Sequence, residues 1–355
     1  MSVSYGGDSI TFADSSTIAS GFTGFKNRVI NGGMDIAQRG NTFTSTSSAN
    51  NDDTYVLDRF YILSDGNDIV DVTQTTTVPT GAKYSIGLDV ETVDKKFGIA
   101  QIIENANCYD AIGGNVTISF QAKVSATANL DNIKCAIVAW SGTADTVTSD
   151  IISAWGVEGT NPTLIANATY ENTPANLGVT TSFATYSVTA NVDTASTSNI
   201  ILFIWSDVTT TALGEFLYIT NVQLEKGSTA TSFEYRGFGR ELIMCQRYFE
   251  KSYAQGVVPG TTTDDGRMLN AFGTSSSGYI GGFISYRVIK RAAATPSVYA
   301  ASNGTITQID SFVFGTSTTR VTPTIQSPID TGFGFYFNGT TANAYAVHYA
   351  VSAEL

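Results

Sequence analysis

The spacing of apolar residues changes within residues 218–249, and this change constrains the fold more than any other feature. From Tyr218 to Glu225 apolar and polar residues alternate, which predicts a β-strand. Lys226-Gly227-Ser228 interrupts the alternation and predicts a turn. An apolar stripe with helical spacing follows: Phe238, Leu242, Cys245 and Phe249. We therefore predict that a sheet ends here, that a short helix covers residues 237–252, and that two domains meet.

Residues 25–236 have the pattern of one β-domain. Apolar alternation recurs at 116–120 and 133–137, and turn signals such as Gly113-Gly114 and Ser141-Gly142 separate several of the runs. Ile200–Trp205 is a continuous apolar run, which suits a strand buried on both faces. Many short strands without a long helix predict a β-sandwich.

Residues 253–355 form a second, smaller β-region in this interpretation. The Gly- and Ser-rich segment 273–278 has no lysine and no following helix, so it is predicted to be a flexible loop rather than a phosphate site. No internal repeat of fixed period is present, which disfavours a β-helix. The strand candidates are Tyr279–Val288, Pro296–Ala301, Ile306–Phe314, Gly332–Phe337 and Tyr345–Ser352.

Composition excludes several classes of protein. Hydrophobic residues make up 42% of the chain, enough for a core, and the net charge of −12 disfavours nucleic acid as a partner. The densest basic run, Arg287–Arg291, is interpreted as a solvated strand face. No stretch approaches 18 consecutive apolar residues, and residues 1–7 do not resemble a signal peptide, so neither membrane insertion nor signal-directed secretion is expected.

The three cysteines are far apart and have neither disulfide-framework nor zinc-site spacing: Cys108, Cys135 and Cys245. Cys245 is predicted to be a buried apolar residue, and synthesis in a reducing cytoplasm is expected.

Enzymatic chemistry finds little support in the sequence. The single histidine, His348, lies in an alternating strand and has no nucleophile context, which disfavours both a catalytic triad and zinc hydrolysis. Glycoside hydrolysis needs two convergent carboxylates, whereas the neighbouring acids at 52–53 and 264–265 would point apart on a strand, and Asp68 with Asp71 resembles a loop or strand-edge pair. We therefore predict no catalysis, and polysaccharide depolymerisation stays a lesser alternative.

No cofactor is expected, and calcium is the one alternative. Asn51-Asp52-Asp53, and Asn105 and Asn107 with Asp110, could supply oxygen ligands. Neither spacing is an EF-hand pattern, and solvated loop side chains are the favoured interpretation.

A saccharide-binding surface is the favoured functional prediction for residues 253–355. Aromatic rings pack against sugar rings, while amides bond hydroxyl groups. Alternation should turn about half of these side chains inward, and the turns expected at Gly332–Gly334 and Asn338-Gly339 suit loops at a tip. The candidates are Tyr279, Tyr286, Tyr299, Phe335, Tyr336, Asn338, Asn343 and Tyr345.

The junction also resembles a family of bacteriophage tail-fibre and receptor-binding proteins. In that family a jelly roll similar to carbohydrate-binding modules ends in a QLEKGS and FEYR strand and continues into an EL-CQRYFEKS helix. Residues 223–252 carry nearly all of these letters. Segments 27–40, 55–60 and 291–296 and the ending at 350–355 are similar to other parts of the same proteins, and 7–17 is loosely similar to their ITFxDGT segment.

The resemblance implies an all-β fold: a jelly-roll sandwich over 25–236, a linking helix over 237–252 and a C-terminal β-sandwich knob over 253–355. It implies a virion homotrimer with Phe238, Leu242, Cys245 and Phe249 at its threefold axis. It further implies attachment to tail or other virion proteins through residues 1–24, and adhesion to host-cell polysaccharide. The alternative is a structural or adaptor protein of the tail or capsid that does not touch the receptor.

Overall fold

A computed structural model describes the backbone of residues 4–6, 9–11, 17–19, 26–46, 49–313 and 317–355. It describes the side chains of residues 26–46, 49–270, 279–312, 318–338 and 344–355. The fold is nearly all-β, as predicted. Of the predicted attachment segment 1–24, three short antiparallel strands are described, and the rest lies outside the described residues: β1 (Ser4–Gly6), β2 (Ser9–Thr11) and β3 (Thr17–Ala19).

The jelly roll is a sandwich of two antiparallel sheets. The first has the order β13-β10-β15-β8-β5 and contains β5 (Tyr61–Ser64), β8 (Phe97–Ile103), β10 (Ile133–Trp140), β13 (Ala168–Tyr170) and β15 (Asn199–Ser206). The second has the order β14-β9-β16-β7-β6-β4 and contains β4 (Thr42–Phe43), β6 (Val70–Thr75), β7 (Ser85–Val90), β9 (Asn115–Val124), β14 (Ala184–Asn191) and β16 (Phe216–Lys226).

The five-stranded sheet is buried on both faces. In β15, Ile200 and Leu202 face the core between the sheets, whereas Ile201, Phe203 and Trp205 face a second apolar cluster outside it. Residues 147–168 cover that cluster and include a small hairpin, β11 (Ile152–Ala154) with β12 (Thr163–Leu164). The prediction of a doubly buried strand at Ile200–Trp205 is thus confirmed.

A β-bulge divides β16, the strand that leads into the junction. Its register against β9 shifts between Thr220 and Gln223, and Asn221 adopts a φ of 51°. Leu217 and Ile219 therefore face the core before the bulge, and Val222 and Leu224 after it. The predicted alternation, which placed Tyr218 and Leu224 on one face, was wrong because the bulge reverses the faces.

Two helices are described: α1 (Asn105–Cys108), and the predicted linking helix, which is shorter than expected, α2 (Phe238–Gln246). Phe249 belongs instead to a strand, β17 (Phe249–Lys251). Cys245 packs against Ile30 and Ile36 of the jelly roll, with Leu242 at the edge of this cluster.

The helical stripe thus finds its apolar partner within its own chain. Cys245 is fully buried and Phe249 is 8% exposed, which leaves neither residue a surface for a threefold contact. Phe238, at 52% exposure, is the member of the predicted interface that stays open.

The C-terminal region is one seven-stranded sheet built around its last strand. That strand pairs along one edge with β17 and β18, and along the other with β19, β20 and β22, while β21 extends β20. The bounds are β18 (Met268–Ser285), β19 (Thr295–Tyr299), β20 (Ile309–Val313), β21 (Ser317–Val321), β22 (Thr324–Gln326) and β23 (Gly332–Ser352).

The long strand β23 doubles back on itself. The rings of Phe335 and Tyr345 lie 5.1 Å apart, whereas ten residues of straight strand would separate them by about 33 Å. The bent sheet consequently encloses its own apolar core. The loop predicted at 273–278 lies within β18, and the turns predicted at 332–334 and 338–339 lie within β23. Those predictions were wrong because glycine here serves strand packing rather than turns.

The end of β23 returns to the jelly roll. The backbone N–H of Ala353 donates to the Tyr248 carbonyl at 2.7 Å, and the Tyr55 hydroxyl donates to the Leu355 carbonyl at 2.7 Å. The Glu354 carboxylate pairs with the Arg39 and Arg59 guanidinium groups. Leu355 joins the outer apolar cluster of the five-stranded sheet. The C-terminal sheet is therefore fastened to the jelly roll through buried contacts.

Segment 27–40 forms a second fastening across the same junction. The Asn31 amide bonds the Ile36 and Asp58 carbonyls, and Gln38 bonds both the Asp58 carboxyl and the Phe249 carbonyl. Within the described part of the chain, no helix is long and apolar enough to span a membrane.

Candidate functional site

The most exposed aromatic surface with neighbouring rings lies on the outer side of the bent sheet. Strand alternation along β18 turns Ile280 and Ile284 into the core and leaves Tyr279 and Phe283 outside, at 79% and 55% exposure. On β23 the residues directly opposite are Asn338 for Tyr279, Tyr336 for Gly281, and Gly334 for Phe283. We call this surface the distal aromatic face: Tyr279, Gly281, Phe283, Gly334, Tyr336 and Asn338.

Glycines form the floor of this face. The rings of Tyr279 and Tyr336 lie 5.3 Å apart at 76° to each other. A methyl group at Gly281 would come within 2.5 Å of the Phe335 carbonyl oxygen, and one at Gly332 within 2.6 Å of the Phe283 ring. Only glycine therefore allows the strands and rings to approach so closely. The result is a low shelf of aromatic rings with the Asn338 amide opposite Tyr279.

The predicted binding residues divide between the two sides of the sheet. Tyr279, Tyr336 and Asn338 lie on the outer face, whereas Phe335 and Tyr345 are core residues at 3% and 6% exposure. Burial removes these two from contact with any ligand, because each is held in the core by the bend of β23.

The other three candidates lie elsewhere. Tyr286 is half-buried, and burial beside Glu250 raises its pKa to about 12. Tyr299 is half-buried against Tyr253, near the junction rather than on the distal aromatic face. The side chain of Asn343 lies outside the described residues. Phe283 was missed, although its position four residues after Tyr279 in one strand indicates the same face.

The outer face of the six-stranded sheet carries a second, smaller group of rings. Phe216 and Tyr218 stack in parallel, 5.3 Å apart. The Lys123 ammonium lies 5.2 Å from the Tyr218 ring, and the Asn221 amide donates to Gln121 at 2.7 Å. This group offers rings, an ammonium and amides, so it is also a surface that could contact a sugar.

One carboxyl pair on this sheet bears on the question of catalysis. Asp71 and Asp89 are direct cross-strand neighbours. Burial, Glu91 and Asp71 raise the pKa of Asp89 to about 6, so this carboxyl is mostly ionised at pH 7 and takes up a proton as the pH falls below 6. Glycoside hydrolases use a carboxyl pair with one protonated and one ionised member, a state that this pair reaches in mild acid.

His348 is a structural residue. Its Nδ1 lies 2.9 Å from the Ser252 hydroxyl, its Nε2 3.0 Å from the Thr263 carbonyl oxygen, and the Tyr253 ring stacks on it at 3.8 Å. Burial lowers its pKa, so the ring is neutral at pH 7. With both nitrogens engaged and no exposed surface, it has no access to substrate.

Two of the candidate calcium ligands, Asp52 and Asp110, are engaged with the protein. Asp52 accepts from the Ser64 N–H at 2.7 Å, and Asp110 pairs with Arg28 at 2.8 Å. Burial, Asp52 and Asp150 raise the pKa of Asp53 to about 7. Among the described residues, no group of three His, Cys, Asp or Glu side chains is placed to hold a metal ion. All three cysteines are buried and unpaired, as predicted for Cys245.

Comparison with known proteins finds partial structural similarity at low identity. No protein-family model matches the sequence, and no curated protein sequence matches it. The enzymatically active domain of tailspike protein 4 of bacteriophage CBA120 is 18% identical, with a TM-score of 0.32, over 56% of this chain and 21% of that one. This chain thus spans about a fifth of the tailspike's length.

Carbohydrate-binding modules are also among the similar structures. TmCBM61, solved in complex with β-1,4-galactotriose, is 12% identical, with a TM-score of 0.29, over 57% of this chain and 100% of that one. A module described as belonging to the β-sandwich superfamily is 13% identical, with a TM-score of 0.35, over 61% of this chain and 71% of that one.

Proposed function

We propose that this chain is a bacteriophage tail-fibre protein that adheres, without catalysis, to polysaccharide on the host-cell surface. The observation that carries the proposal is the distal aromatic face, on which Tyr279 and Phe283 stay exposed beside Tyr336. Exposed aromatic clusters on soluble proteins mark interaction sites. The resemblance of the junction to phage fibres supplies the biological setting.

The chemistry of the face suits sugar rings. Tyrosine presents a flat apolar ring with a hydroxyl at its edge, so it can pack on sugar C–H groups and bond a hydroxyl at once. The Asn338 amide adds a donor and an acceptor at the same height in the sheet. Because the rings rest on strands whose positions are set by pairing, little ordering is needed on binding.

A homotrimer attached to the virion through residues 1–24 is part of the proposal. Three copies of the face would convert weak saccharide contacts into stable attachment. Cys245 and Phe249 are buried within the chain, so neither would take part in a contact between the copies. Sedimentation equilibrium of the purified protein tests this part, and a monomer would contradict it.

The adhesion is tested with the double variant Tyr279→Ala/Tyr336→Ala, assayed for binding to a panel of bacterial capsular and O-antigen polysaccharides. Each ring should contribute about 1 kcal/mol, so the double variant should bind more than tenfold more weakly. Tyr109→Ala is the matched control, because Tyr109 is an equally open tyrosine, 67% exposed, on the jelly roll. Unchanged binding by the double variant would refute the role of the face.

Polysaccharide depolymerisation is the second candidate, favoured by the Asp71 and Asp89 pair. Release of reducing ends from a bound polysaccharide, abolished by Asp89→Asn, would establish it and displace the non-catalytic proposal. A protein that binds no surface polysaccharide and releases no ends would instead fit a structural or adaptor role in the virion.

A further inference from the structure

A groove of about 210 Å³ lies where the open end of the jelly roll meets the loop that follows β17. We call it the seam groove. It is separate from the distal aromatic face and shares no residue with it. The side chains that carry its chemistry are Asp35, Gln74, Lys83, Tyr84, Phe238 and Gln255.

The wall of the groove is held in place by one buried ammonium group. Lys251 is 1% exposed, and its Nζ donates to the carbonyl oxygens of Gln38, Gln255 and Val257 at 2.8, 2.9 and 2.6 Å. These bonds join the loop at 255–257 to the jelly roll. The groove is therefore preformed, which lowers the ordering penalty for a ligand.

The interior combines apolar rings with opposite charges. Phe238 is 52% exposed at the first turn of α2, and the Lys83 ammonium lies 4.9 Å from the Tyr84 ring. Burial raises the pKa of the Asp35 carboxyl above its ordinary value, and the nearby Lys83 ammonium opposes this shift, so the two charged groups lie close enough to interact. In the described part of the chain, neither the Asp35 carboxylate nor the Lys83 ammonium is engaged in a hydrogen bond.

We infer that the seam groove binds an uncharged, hydroxyl-rich ring, such as one hexose unit of a glycan. Because the charges of Asp35 and Lys83 offset each other, the groove offers neither an anionic nor a cationic ligand a net attraction that would compensate for the loss of its hydration. A neutral sugar can donate a hydroxyl proton to the carboxylate and accept from the ammonium, while its C–H face packs on Phe238 or Tyr84. The inference rests on the proposed function only in taking host-cell polysaccharide as the source of the sugar.

The test uses the full chain carrying Tyr279→Ala/Tyr336→Ala, which removes the distal aromatic face. Isothermal titration with neutral trisaccharides of glucose, galactose and mannose should detect at least one that binds. Trigalacturonate and a trisaccharide of glucosamine should bind at least about tenfold more weakly. Phe238→Ala and Asp35→Asn should each weaken the neutral sugar about fivefold or more.

Ile243→Ala is the matched control, because Ile243 is 56% exposed on the same helix and does not line the groove. Its binding should match that of the parent. Lack of binding to every neutral sugar, equal binding of the charged ones, or an equal loss in Ile243→Ala would overturn the inference. Thermal unfolding midpoints identify any variant that has lost its fold, and Phe238→Leu then provides a milder replacement. The outcome of these titrations does not depend on whether the distal aromatic face binds polysaccharide, because the variant used here lacks that face.

Discussion

Replacement of Glu354 by leucine is the sharpest test of how the C-terminal sheet is fastened. The Glu354 carboxylate is shared by Arg39 and Arg59, and the Arg59 side chain is 1% exposed. Removing one partner of a buried ion pair destabilises a protein by about 3–5 kcal/mol. Arg59 would keep its bond to the Ile102 carbonyl at 2.6 Å and its place 3.6 Å from the Tyr248 ring. The expected loss is therefore at the lower end, about 3 kcal/mol.

The assay is urea unfolding followed by tryptophan fluorescence. All three tryptophans lie in the outer apolar cluster that Leu355 completes: Trp140, Trp155 and Trp205. Arg59→Met/Glu354→Leu should be markedly more stable than the sum of the two single losses predicts, because no buried charge is left unpaired. Asp264→Asn is the control, since Asp264 pairs with Arg267 at the surface and should hardly change the midpoint. A loss below about 1 kcal/mol for Glu354→Leu, or strict additivity, would refute the reasoning.

Three further predictions follow from single residues. Burial raises the pKa of Asp53 to about 7, so the stability that its neutral form contributes is fully present below pH 3.8 and is lost as the pH rises through 7. Asp53→Asn should therefore have a higher urea midpoint than the parent at pH 8, and this difference should be smaller at pH 4.5. Burial lowers the pKa of His348, so the stability that its neutral ring contributes is present above pH 6.5 and is lost as the pH falls. The urea midpoint of His348→Gln should therefore change less between pH 6.5 and 5 than that of the parent. Gly281→Ala should lower the thermal midpoint and weaken polysaccharide binding, because its methyl group would meet the Phe335 carbonyl. Gly334→Ala, with no atom nearer than 3.5 Å to the added methyl group, should leave the thermal midpoint unchanged.

Residue alternation predicted the sandwich well because burial of one sheet face leaves a period of two in the sequence. The run at 200–205 lost that period, and it was still assigned correctly because a strand covered on both sides must be apolar throughout. The sequence did not predict the bulge at Asn221, because a single extra residue leaves no compositional signal. That residue nevertheless reverses which face of the sheet each later side chain of the strand occupies.

The glycine-rich segments were misjudged for a related reason. Glycine normally indicates a turn, but Gly281 and Gly332 lie in paired strands where neighbouring atoms leave no room for a side chain. Whether a glycine turns the chain or admits a neighbour depends on the partner strand, and local sequence does not contain that information.

The sequence predicted that this region is rich in binding-type side chains, but it did not predict which of them are exposed. Tyr279 and Phe335 both belong to alternating strands, and only the bend of β23 decides which one faces solvent. The partner of the helix was equally hidden, since Ile30 and Ile36 lie about two hundred residues earlier in the chain. The sequence did not predict the seam groove, because its side chains come from segments that lie far apart along the chain.

Polysaccharide binding by the parent protein and by Tyr279→Ala/Tyr336→Ala, measured side by side on the same panel of surface polysaccharides, tests the central claim most directly. The proposal predicts that the parent retains at least one polysaccharide and that the double variant binds it more than about tenfold more weakly, with Tyr109→Ala unchanged. Equal binding by the parent and the double variant would contradict it.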